Sequence, residues 1–378
     1  MEEPLASKPT YLVAMSGGVD SSVAAAILKH RGFEVVGMTM QIWQESQTDP
    51  RHAGCCSLGA VEDARRVARK LDIPHYVMNF RDEFRQSVID NFVSEYAQGR
   101  TPNPCVQCNK HVKFEILMQK MRELGCDRLV TGHYARIRFD KATGRYRLLR
   151  ARGNRKDQSY VLYMLDQAQL ASSYFPMGEI ADKAETREIA RSFDLSVADK
   201  PDSQEICFVS EAGGYQEFLR RTKPDIFEKG EIVDADGKAI GEHEGIADFT
   251  VGQRRGIGVS GSKPLYVLEL QPRENRVVVG PGELLDTQRV ALDDLYWSAI
   301  EPTEQPQRVE AKIRYNMQPQ RAMLHGGPSP YLQFDKPVRA ATPGQIAVAY
   351  RGQTVLAGAT IANCQGFDVA QPQVAATA

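Results

Sequence analysis

A glycine-rich turn between an apolar run and a helical pattern constrains the fold of this chain most strongly. The stretch YLVAMSGGVDSSVAAAIL begins with five apolar residues that predict a buried strand, and a helical pattern follows from Val19 to His30. Gly17 and Gly18 lie between them, where backbone N–H groups can approach an anion closely because no side chain intervenes. The N-terminus of the helix adds positive potential at the same point. The stretch therefore predicts a phosphate-binding loop at the carboxyl end of a first strand.

The sequence of this loop excludes two common nucleotide-binding motifs, and its polar side chains indicate what it can bind. No Gly-Lys-Ser/Thr sequence follows, which excludes a Walker A loop, and the glycine spacing also excludes a dinucleotide fingerprint. Ser16, Ser21 and Ser22 can donate hydroxyl groups to phosphate oxygens, whereas Asp20 is expected to bind Mg²⁺ or to brace the loop. A glycine-rich turn with capping serines is the structural alternative. The SGGVDS stretch resembles the PP-loop of the N-type ATP pyrophosphatases, and this resemblance implies cleavage of ATP to AMP and pyrophosphate.

The chain from residue 11 to 132 alternates between strand-like and helical patterns. The strand-like stretches are YLVAM, FEVVGMTMQIW, HYVMN and RLVTG, and the helical patterns cover 19–30, 60–71, 82–97 and 110–124. Near-continuous apolar strands that alternate with helices predict an α/β domain with a doubly wound parallel sheet. Ligands of such sheets bind beyond the carboxyl ends of the strands. Met40 and Gly132 end the second and fourth strands, so both are predicted to contact adenine or ribose, with a buried core methionine as the alternative for Met40.

Beyond residue 132 the patterns change twice. From Lys141 to Lys156, seven Lys and Arg residues and no acidic residue fall in sixteen positions, which predicts a hairpin with a basic tip. This tip is either a solvated face or a phosphate-binding surface. The next stretch, YVLYMLDQAQLASSYF, has a helical pattern. From about Gly230 onward, short alternating segments separated by turn residues predict a small β-barrel.

Net charge and cysteine usage limit the partners and the compartment. The formal net charge is −1, so binding of nucleic acid would depend on local basic patches. The N-terminus has no charged-then-apolar signal pattern, and no apolar run approaches the ~20 residues that a membrane span needs. A cytoplasmic protein without membrane contact is therefore expected. Its seven cysteines are then expected to be reduced thiols rather than a disulfide framework.

Two of these cysteines, Cys105 and Cys108, lie three positions apart in RTPNPCVQCNK. Such a pair can be redox-active, half of a metal site or incidental. A structural zinc site usually needs two such pairs, and the adjacent Cys55 and Cys56 are poorly placed to supply the second. A helix is predicted to begin near Asn109, and a helix N-terminus lowers the pKa of a thiol. Cys108 is therefore a candidate nucleophile or sulfur acceptor, with a loop thiol of no chemical role as the alternative.

Six stretches in order along the chain resemble the MnmA family of tRNA-specific 2-thiouridylases. They are AMSGGVDSSVAA, GRTPNPCVQCNKHVKF, TGHYAR, KDQSYVLY, KPDSQEICFV and FTVGQRRGIG, and AKIRYN and PGQIAVAY add a weaker likeness near the C-terminus. The resemblance implies a PP-loop domain, a small central domain and a C-terminal β-barrel. We expect these domains to cover residues 1–208, 209–288 and 289–366, followed by a disordered tail over 367–378.

The resemblance also implies a reaction. ATP with Mg²⁺ adenylates the carbon-2 oxygen of the wobble uridine, position 34 of tRNA, and a persulfide sulfur then replaces the adenylated oxygen. Cys207 matches the thiol that carries the persulfide, and Cys108 matches the nucleophile that forms a transient disulfide with it. From its own surroundings in DKPDSQEICFV, Cys207 would be a buried structural thiol.

The implied partners are tRNA and a persulfide-donating sulfur carrier or cysteine desulfurase, with the enzyme itself a monomer. Three alternatives remain open at this point. The chain could be an amidating PP-loop ligase or another PP-loop ATP pyrophosphatase, or it could be an RNA-binding module that keeps a nucleotide-sensing loop.

Cys105 departs from the family pattern, because many family members carry Asp at this position. It could serve as a proton shuttle, or it could hold an iron–sulfur (4Fe–4S) cluster together with Cys108 and Cys207. The residues matched to ATP binding are Ala14, Met15, Ser16, Gly17, Gly18, Val19, Asp20, Ser21, Met40 and Gly132. The residues matched to tRNA binding are Asn103, Pro104, Cys105, His133, Lys156, Asp157, Gln158, Arg314, Tyr315 and Gln345.

Overall fold

The computed structural model describes residues 8–43, 58–153, 156–201, 206–259, 261 and 263–362, so that Cys55, Cys56 and the predicted tail lie outside the described residues. The strands are β1 Thr10–Ala14, β2 Glu34–Gln41, β3 His75–Asn79, β4 Arg128–Val130, β5 Ala135–Asp140, β6 Arg145–Arg150, β7 Ser173–Tyr174, β8 Gly230–Val233, β9 Ala239–His243, β10 Leu265–Gln271, β11 Arg276–Pro281, β12 Asp286–Trp297, β13 Gln307–Lys312, β14 Gln320–His325, β15 Tyr331–Arg339, β16 Ile346–Arg351 and β17 Thr354–Ile361. The helices are α1 Val19–His30, α2 Leu58–Lys70, α3 Arg81–Phe84, α4 Asp90–Ala97, α5 Pro104–Gln107, α6 Leu117–Glu123, α7 Gln167–Ala171, α8 Lys183–Ser192, α9 Val209–Ala212 and α10 Tyr215–Thr222. The π-helical segments Arg85–Ile89 and Cys108–Ile116 join α3 to α4 and α5 to α6. Among the described residues, none of the helices is long and apolar enough to cross a bilayer.

A parallel sheet in the order β3-β2-β1-β4-β7 forms the N-terminal part of the protein. β1 lies in its centre, where the fully buried Leu12 and Val13 belong to two different hydrophobic clusters. Residues of α1, α2 and α8 pack in one cluster, and residues of α3 to α6 pack in the other. This arrangement confirms the predicted doubly wound α/β domain, because both faces of the sheet are apolar and are covered by helices.

The helix that carries Cys108 begins earlier than predicted. Asn103 is its N-cap, with Oδ1 accepting the backbone N–H of Val106 at 3.3 Å, and Pro104 occupies the first helical position. Both residues favour a helix start, because Asn satisfies a backbone N–H group and proline has none to satisfy. The prediction of a start near Asn109 is therefore wrong, and Cys108 lies in the second turn of the helix.

The stretch YVLYMLDQAQLASSYF, predicted as one helix, is divided into three short elements. Ser159–Leu162 forms a 3₁₀ turn, α7 follows, and β7 adds an edge strand to the parallel sheet. Asp166 starts α7 with a capping box. Its Oδ1 accepts the N–H of Gln169 at 2.7 Å, and Oε1 of Gln169 accepts the N–H of Asp166 at 2.9 Å. The prediction of one helix is wrong because this cap fixes a helix start in the middle of the apolar pattern.

The C-terminal part is a closed antiparallel barrel of six strands in the order β12-β15-β14-β13-β16-β17, where β12 and β17 pair to complete the circle. Its interior contains Val290, Ala311 and Phe334. Before it in the chain, β10-β11-β8-β9 form a small sheet with its own core around Val267 and Val277. The barrel confirms the predicted C-terminal β-barrel. It begins at Asp286 rather than near Gly230, because the alternating segments over 230–281 pair among themselves in the small sheet.

The predicted basic hairpin is formed by β5 and β6, and it joins the barrel because β6 pairs with β17. Arg145 forms an ion pair with Glu301, and Arg147 forms one with Asp140. Two of the arginines of the basic tip are therefore neutralised within the protein. The hairpin also connects the parallel-sheet domain to the barrel, a role that its charge pattern does not indicate.

Candidate active site

The predicted phosphate loop connects β1 to α1 in a conformation that requires glycine. Gly17 has a φ of 69°, and a Cβ atom there would lie 2.0 Å from the carbonyl oxygen of Ala60 in α2. The N–H of Ser16 donates to Ser21 Oγ at 3.1 Å, which holds the loop against the first turn of α1. The N-terminus of this helix favours an anion at the same position.

Gly17→Ala is expected to destabilise the protein far more than Gly144→Ala, which changes a glycine in nearly the same backbone conformation. Gly144 has a φ of 66° and no atom within 4 Å of an added Cβ. An alanine there suffers only the strain of the left-handed conformation, about 1–2 kcal/mol. Gly17→Ala adds a collision with the backbone of α2, and we expect a total loss of roughly 3–5 kcal/mol. Urea unfolding measures both variants, and equal losses would contradict this account.

Asp20 connects the start of α1 to two distant parts of the chain. Its Oδ1 accepts a hydrogen bond from the hydroxyl of Tyr134 at 2.7 Å. The ammonium group of Lys183 lies 2.7 Å from Oδ1 and 2.8 Å from Oδ2. The Tyr134 hydroxyl also lies 2.8 Å from Oγ1 of Thr186 in α8. These contacts tie the start of α1 to Tyr134 and to α8, with Lys183 as the counter-ion of Asp20. Loop bracing and Mg²⁺ binding by Asp20 stay predictions.

A second lysine contacts the loop itself. Nζ of Lys200 donates to the carbonyl oxygen of Gly17 at 3.0 Å and lies 2.6 Å from Oδ2 of Asp63 in α2. The guanidinium group of Arg187 donates to two carbonyl oxygens of the segment that carries this lysine, at 2.7 and 3.0 Å. The segment that leads toward Cys207 is thus tied to the phosphate loop.

The other residues matched to ATP binding lie at the carboxyl edge of the sheet. A Cβ atom on Gly132 would lie 2.8 Å from the backbone nitrogen of Ser21, so the chain after β4 lies directly against the first turn of α1. Met40 near the end of β2 is half-buried and packs on a hydrophobic cluster. The side chains of Met15 and Val19 are buried, so a ligand at this edge would meet only their backbone atoms. Contacts with adenine or ribose stay predictions.

The three cysteines of the candidate site differ in exposure. Cys105 is exposed, Cys207 is half-buried and Cys108 is buried. Cys108 belongs to the hydrophobic cluster that contains residues of α3 to α6, and Cys207 packs against this same cluster. This cluster is large, with residues from Leu12 to Val355, so shared membership does not by itself set the distance between the two sulfurs. Cys207 is not the fully buried structural thiol that its sequence context alone favours.

The physical reason for a reactive Cys108 changes with the helix start. The favourable potential of a helix N-terminus falls off within the first turn, and Cys108 lies in the second. The next residue, Asn109, donates from Nδ2 to the carbonyl oxygen of Val161 at 2.9 Å and accepts from Nζ of Lys113 at 2.9 Å. Lys113 therefore holds a positive charge beside Asn109, the residue that follows Cys108. A reactive Cys108 stays a prediction.

Aromatic packing fixes the position of Phe208, the residue that follows Cys207 in the chain. Its side chain is 1% exposed, and its ring centroid lies 4.9 Å from Phe218, 5.2 Å from Phe92 and 5.8 Å from Phe84. These rings meet in tilted or edge-on arrangements, which are the favourable geometries for aromatic pairs. The placement of Cys207 therefore depends on one densely packed aromatic side chain.

Phe208→Ala is expected to lower the free energy of unfolding by about 3–5 kcal/mol, as for other fully buried phenylalanines. Phe139→Ala is the matched control, since Phe139 is 51% exposed and its removal should cost less than about 1 kcal/mol. Chemical denaturation measures both, and a loss at Phe208 no larger than at Phe139 would contradict the anchoring role.

A turn of the C-terminal barrel holds the loop that precedes Cys105. The N–H of Thr101 donates to the carbonyl oxygen of Pro343 at 2.8 Å, and Nε2 of Gln345 donates to the carbonyl oxygen of Thr101 at 3.0 Å. A Cβ atom on Gly344 would lie 2.9 Å from the Thr101 nitrogen. Gln345, which the sequence matches to tRNA binding, therefore lies at the contact between the barrel and the Cys105 loop.

Tyr315 lies near Cys105 and comes from another part of the barrel. Partial burial, followed by the charges of Asp157 and Cys105, raises the pKa of Tyr315, so these groups are close enough to interact. Nζ of Lys312 lies 5.4 Å from the ring centroid of Tyr315, and Arg314 is exposed. The folded chain thus places an aromatic ring and two basic residues on the side of the site that carries Cys105.

Three polar residues matched to tRNA binding make hydrogen bonds inside the protein. Oδ1 of Asp157 accepts two backbone N–H groups at 3.1 and 3.2 Å, and Oε1 of Gln158 accepts one at 3.0 Å. Nδ1 of His133 lies 2.7 Å from Oγ1 of Thr131, and burial lowers the pKa of His133 well below its usual range, so that the ring is neutral. Contacts with tRNA stay predictions for these residues and for Asn103, Pro104 and Lys156.

The thiols do not form a metal-binding group. Within the part of the chain that the structure describes, no three His, Cys, Asp or Glu side chains come together in a way that could hold a metal ion. A 4Fe–4S cluster on Cys105, Cys108 and Cys207, whose sulfurs would surround a group of irons rather than one ion, stays a prediction.

Comparison with known proteins identifies the family. Residues 10–211 match the family described as tRNA methyl transferase HUP domain, 216–281 match tRNA methyl transferase PRC-barrel domain, and 287–361 match Aminomethyltransferase beta-barrel domain. The tRNA-specific 2-thiouridylase MnmA of Heliobacterium modesticaldum is 48% identical over 371 residues, which cover 97% of this chain and 95% of that protein. This chain belongs to the tRNA-specific 2-thiouridylase family.

Further members of the 2-thiouridylase family support the same assignment. The MnmA proteins of Moorella thermoacetica and Clostridioides difficile are 48% and 45% identical and each covers 93% of this chain. The matches also cover 98% and 97% of these two relatives. The resemblance seen in the six sequence motifs is thus confirmed, and with it the prediction that the protein is an enzyme of tRNA sulfur transfer.

Four residues at the phosphate loop of this thiouridylase site are absent from the sequence prediction: Tyr134, Lys183, Arg187 and Lys200. Tyr134 and Lys200 reach the loop over separations of 114 and 183 residues. Both stand inside quoted motifs, TGHYAR and KPDSQEICFV, which is the signal that could have pointed to them. Lys183 and Arg187 lie in none of the six motifs. Only the folded structure brings Lys183 to Asp20 and Arg187 to the carbonyl oxygens of Ala198 and Lys200.

Proposed function

We propose that this protein catalyses ATP-dependent 2-thiolation of the wobble uridine, position 34 of tRNA, with sulfur carried as a persulfide on Cys207. Membership of the tRNA-specific 2-thiouridylase family over nearly the whole chain supports the reaction. The observation that carries the persulfide route is that Cys108 and Cys207 lie in two of the stretches that resemble the family, and that Cys207 is half-buried rather than fully buried. The contact of Lys200 with Gly17 adds a link between the segment before Cys207 and the phosphate loop.

The first step converts the uracil oxygen into part of a leaving group. The carbon-2 oxygen attacks the α-phosphorus of ATP, a P–O bond forms, and the bond to pyrophosphate breaks. Oxygen is a poor leaving group from a uracil carbonyl, whereas AMP is a good one. The amides at the start of α1 would bind the phosphates, and Asp20 would keep the loop in shape. Mg²⁺ bound with ATP would neutralise part of the phosphate charge.

The second step transfers sulfur. The terminal persulfide sulfur on Cys207 attacks carbon 2, and the C–O bond breaks so that AMP leaves with the oxygen. The thiolate of Cys108 attacks Sγ of Cys207, which breaks the persulfide S–S bond and leaves a disulfide between the two cysteines. An external dithiol then reduces this disulfide and restores both thiols. The exchange requires the two sulfurs to meet during turnover.

Cys105 takes a proton-handling role in this proposal rather than a role as a metal ligand. It is exposed and lies close to Tyr315. The alternative route, with sulfur on a 4Fe–4S cluster, would make Cys105 a ligand together with Cys108 and Cys207. Iron and sulfide analysis of anaerobically purified protein separates the two routes. A thiol, with an ordinary pKa of about 8.5, is a weaker proton shuttle at neutral pH than a residue tuned to that pH.

The tRNA substrate is expected to reach the site with its target base extruded, as enzymes acting on a base generally require. Tyr315 could stack on a base, and the exposed Arg314 could bind a phosphate. A persulfide-donating carrier or cysteine desulfurase would load Cys207, which is only half-buried.

We further propose a monomeric, cytoplasmic enzyme. Its proposed domains cover 1–208, 209–288 and 289–366.

A single-turnover assay with an unmodified tRNA transcript tests this function. The protein is incubated with ATP, Mg²⁺ and a persulfide donor, and 2-thiouridine, AMP and pyrophosphate are measured. We expect equal amounts of the three products with uridine at position 34 and none with cytidine there. An amidating ligase would release pyrophosphate without tRNA, and an RNA-binding module would release none. Either result would refute the proposed function.

A further inference from the structure

Two lysine side chains lie at the phosphate loop, although the loop sequence SGGVDSS contains no lysine. Nζ of Lys183 lies 2.7 and 2.8 Å from the two carboxylate oxygens of Asp20, at the start of α1. Nζ of Lys200 donates to the carbonyl oxygen of Gly17 at 3.0 Å, in the turn itself. The two ammonium groups therefore contact neighbouring parts of the loop that would hold the phosphates.

Both lysines are fixed by the protein before any ligand arrives. The side chains of Lys183 and Lys200 are 16% and 25% exposed, and Lys200 also pairs with Asp63 at 2.6 Å. Arg187 holds the backbone of Lys200 through two hydrogen bonds. Fixing a lysine side chain costs up to about 2 kcal/mol of conformational entropy, and partial desolvation of its charge adds to this cost. Two such lysines at one loop therefore require an explanation beyond surface charge.

We propose that Lys183 and Lys200 bind the triphosphate of ATP and stabilise the pyrophosphate that leaves during adenylation. This inference rests on the function proposed above. When the carbon-2 oxygen attacks the α-phosphorus, negative charge develops on the departing pyrophosphate. The backbone amides of the loop offer it partial charges, whereas the two ammonium groups offer full ones. A Walker A loop carries its lysine within the loop. Here the lysines come from α8 and from the segment after it, and each would exchange its carboxylate partner, Asp20 or Asp63, for phosphate oxygens.

The test compares Lys183→Met and Lys200→Met with Lys70→Met in the full-length enzyme. Lys70 is the matched control, because it forms an exposed ion pair with Asp194 at 2.7 Å, away from the loop. The readouts are tRNA-dependent pyrophosphate release at varied ATP and inhibition by added pyrophosphate. For each loop lysine we expect kcat/KM for ATP to fall about 10- to 100-fold, the effect of losing a charged hydrogen bond. Inhibition by pyrophosphate should weaken by a similar factor, and the control should change less than about twofold.

Adenosine provides a second readout, because it has no phosphates. Its Kd should be unchanged in both variants while the Kd of ATP rises, and Lys200→Arg should recover most of the ATP affinity because it keeps the charge. If either methionine variant fails to fold, Lys183→Gln and Lys200→Gln, which also remove the charge, replace them in the same measurements. Lower thermal stability with unchanged inhibition by pyrophosphate would show that the lysines only brace the loop, and would overturn the proposal.

The same experiment distinguishes failure of the proposed function from failure of the role given to the two lysines. If the wild-type enzyme released no pyrophosphate in the presence of tRNA, the proposed function itself would fail. Normal release by the wild type and by both lysine variants alike would leave the function standing and refute only the assignment of the lysines.

Discussion

Cys108→Ser and Cys207→Ser are each expected to lower 2-thiouridine formation at least about a thousandfold while ATP and tRNA binding persist. Serine preserves the size of each side chain, but a hydroxyl group can neither carry a persulfide nor exchange disulfides. The Cys207→Ser enzyme should still release a burst of pyrophosphate, because adenylation precedes sulfur transfer. Mass spectrometry of nucleosides from digested tRNA, together with a pyrophosphate assay, separates the two steps.

Cys126→Ser is the matched control for these two substitutions. Cys126 is 6% exposed, and burial raises the pKa of its thiol, so it is a buried cysteine without an assigned chemical role. We expect its folded variant to thiolate tRNA within about twofold of the wild type.

Cys105→Ala should thiolate tRNA about 100-fold more slowly than the wild type, the effect of losing a general acid or base. Normal thiolation by Cys108→Ser or by Cys207→Ser would remove that residue from the mechanism.

Asp20→Asn is expected to reduce tRNA-dependent pyrophosphate release about 10- to 100-fold. Asparagine can still accept the hydrogen bond from Tyr134, but it leaves the ammonium group of Lys183, only 16% exposed, without a counter-ion. Loss of a charged hydrogen bond in a partly exposed pair costs about 1.5–3 kcal/mol, which corresponds to this range of rates. Asp20→Ala, which removes both interactions, should abolish measurable release.

Asp194→Asn provides the comparison for Asp20, because it breaks an ion pair with Lys70 in which both side chains are well exposed. Such surface pairs contribute about 0–1 kcal/mol, so release should stay within about twofold of the wild type. Pyrophosphate release by Tyr134→Phe should lie between that of Asp20→Asn and that of Asp194→Asn. This substitution removes one of the three bonds to the Asp20 carboxylate. Wild-type release by Asp20→Ala would contradict the bracing role given to this carboxylate.

The parallel-sheet domain could be predicted from the sequence because its signals are local. The first strand, the glycine turn and α1 follow one another within a short stretch, and the apolar period changes visibly between them. The helix starts at Pro104 and Gln167 were missed for a related reason. Each depends on one capping side chain, Asn103 or Asp166, and a single cap is easily obscured by the apolar pattern around it.

The partners of the phosphate loop could not be predicted, because they arise from tertiary contacts. Asp20 bonds to Tyr134 and Lys183 across 114 and 163 residues, and periodicity carries no information over such separations. Gln345 contacts the carbonyl oxygen of Thr101 across 244 residues. A motif match singled out Gln345 for tRNA binding, but its hydrogen bond to the loop before Cys105 required the folded chain.

The most direct test of the persulfide account follows sulfur through one turnover. The enzyme is first loaded by a persulfide donor, and peptide mass spectrometry determines whether an additional sulfur atom lies on Cys207. ATP and tRNA are then added without reductant. The account predicts that this sulfur moves to 2-thiouridine and that an equal amount of disulfide forms between Cys108 and Cys207. Formation of 2-thiouridine without a persulfide on Cys207, or without that disulfide, would contradict the account.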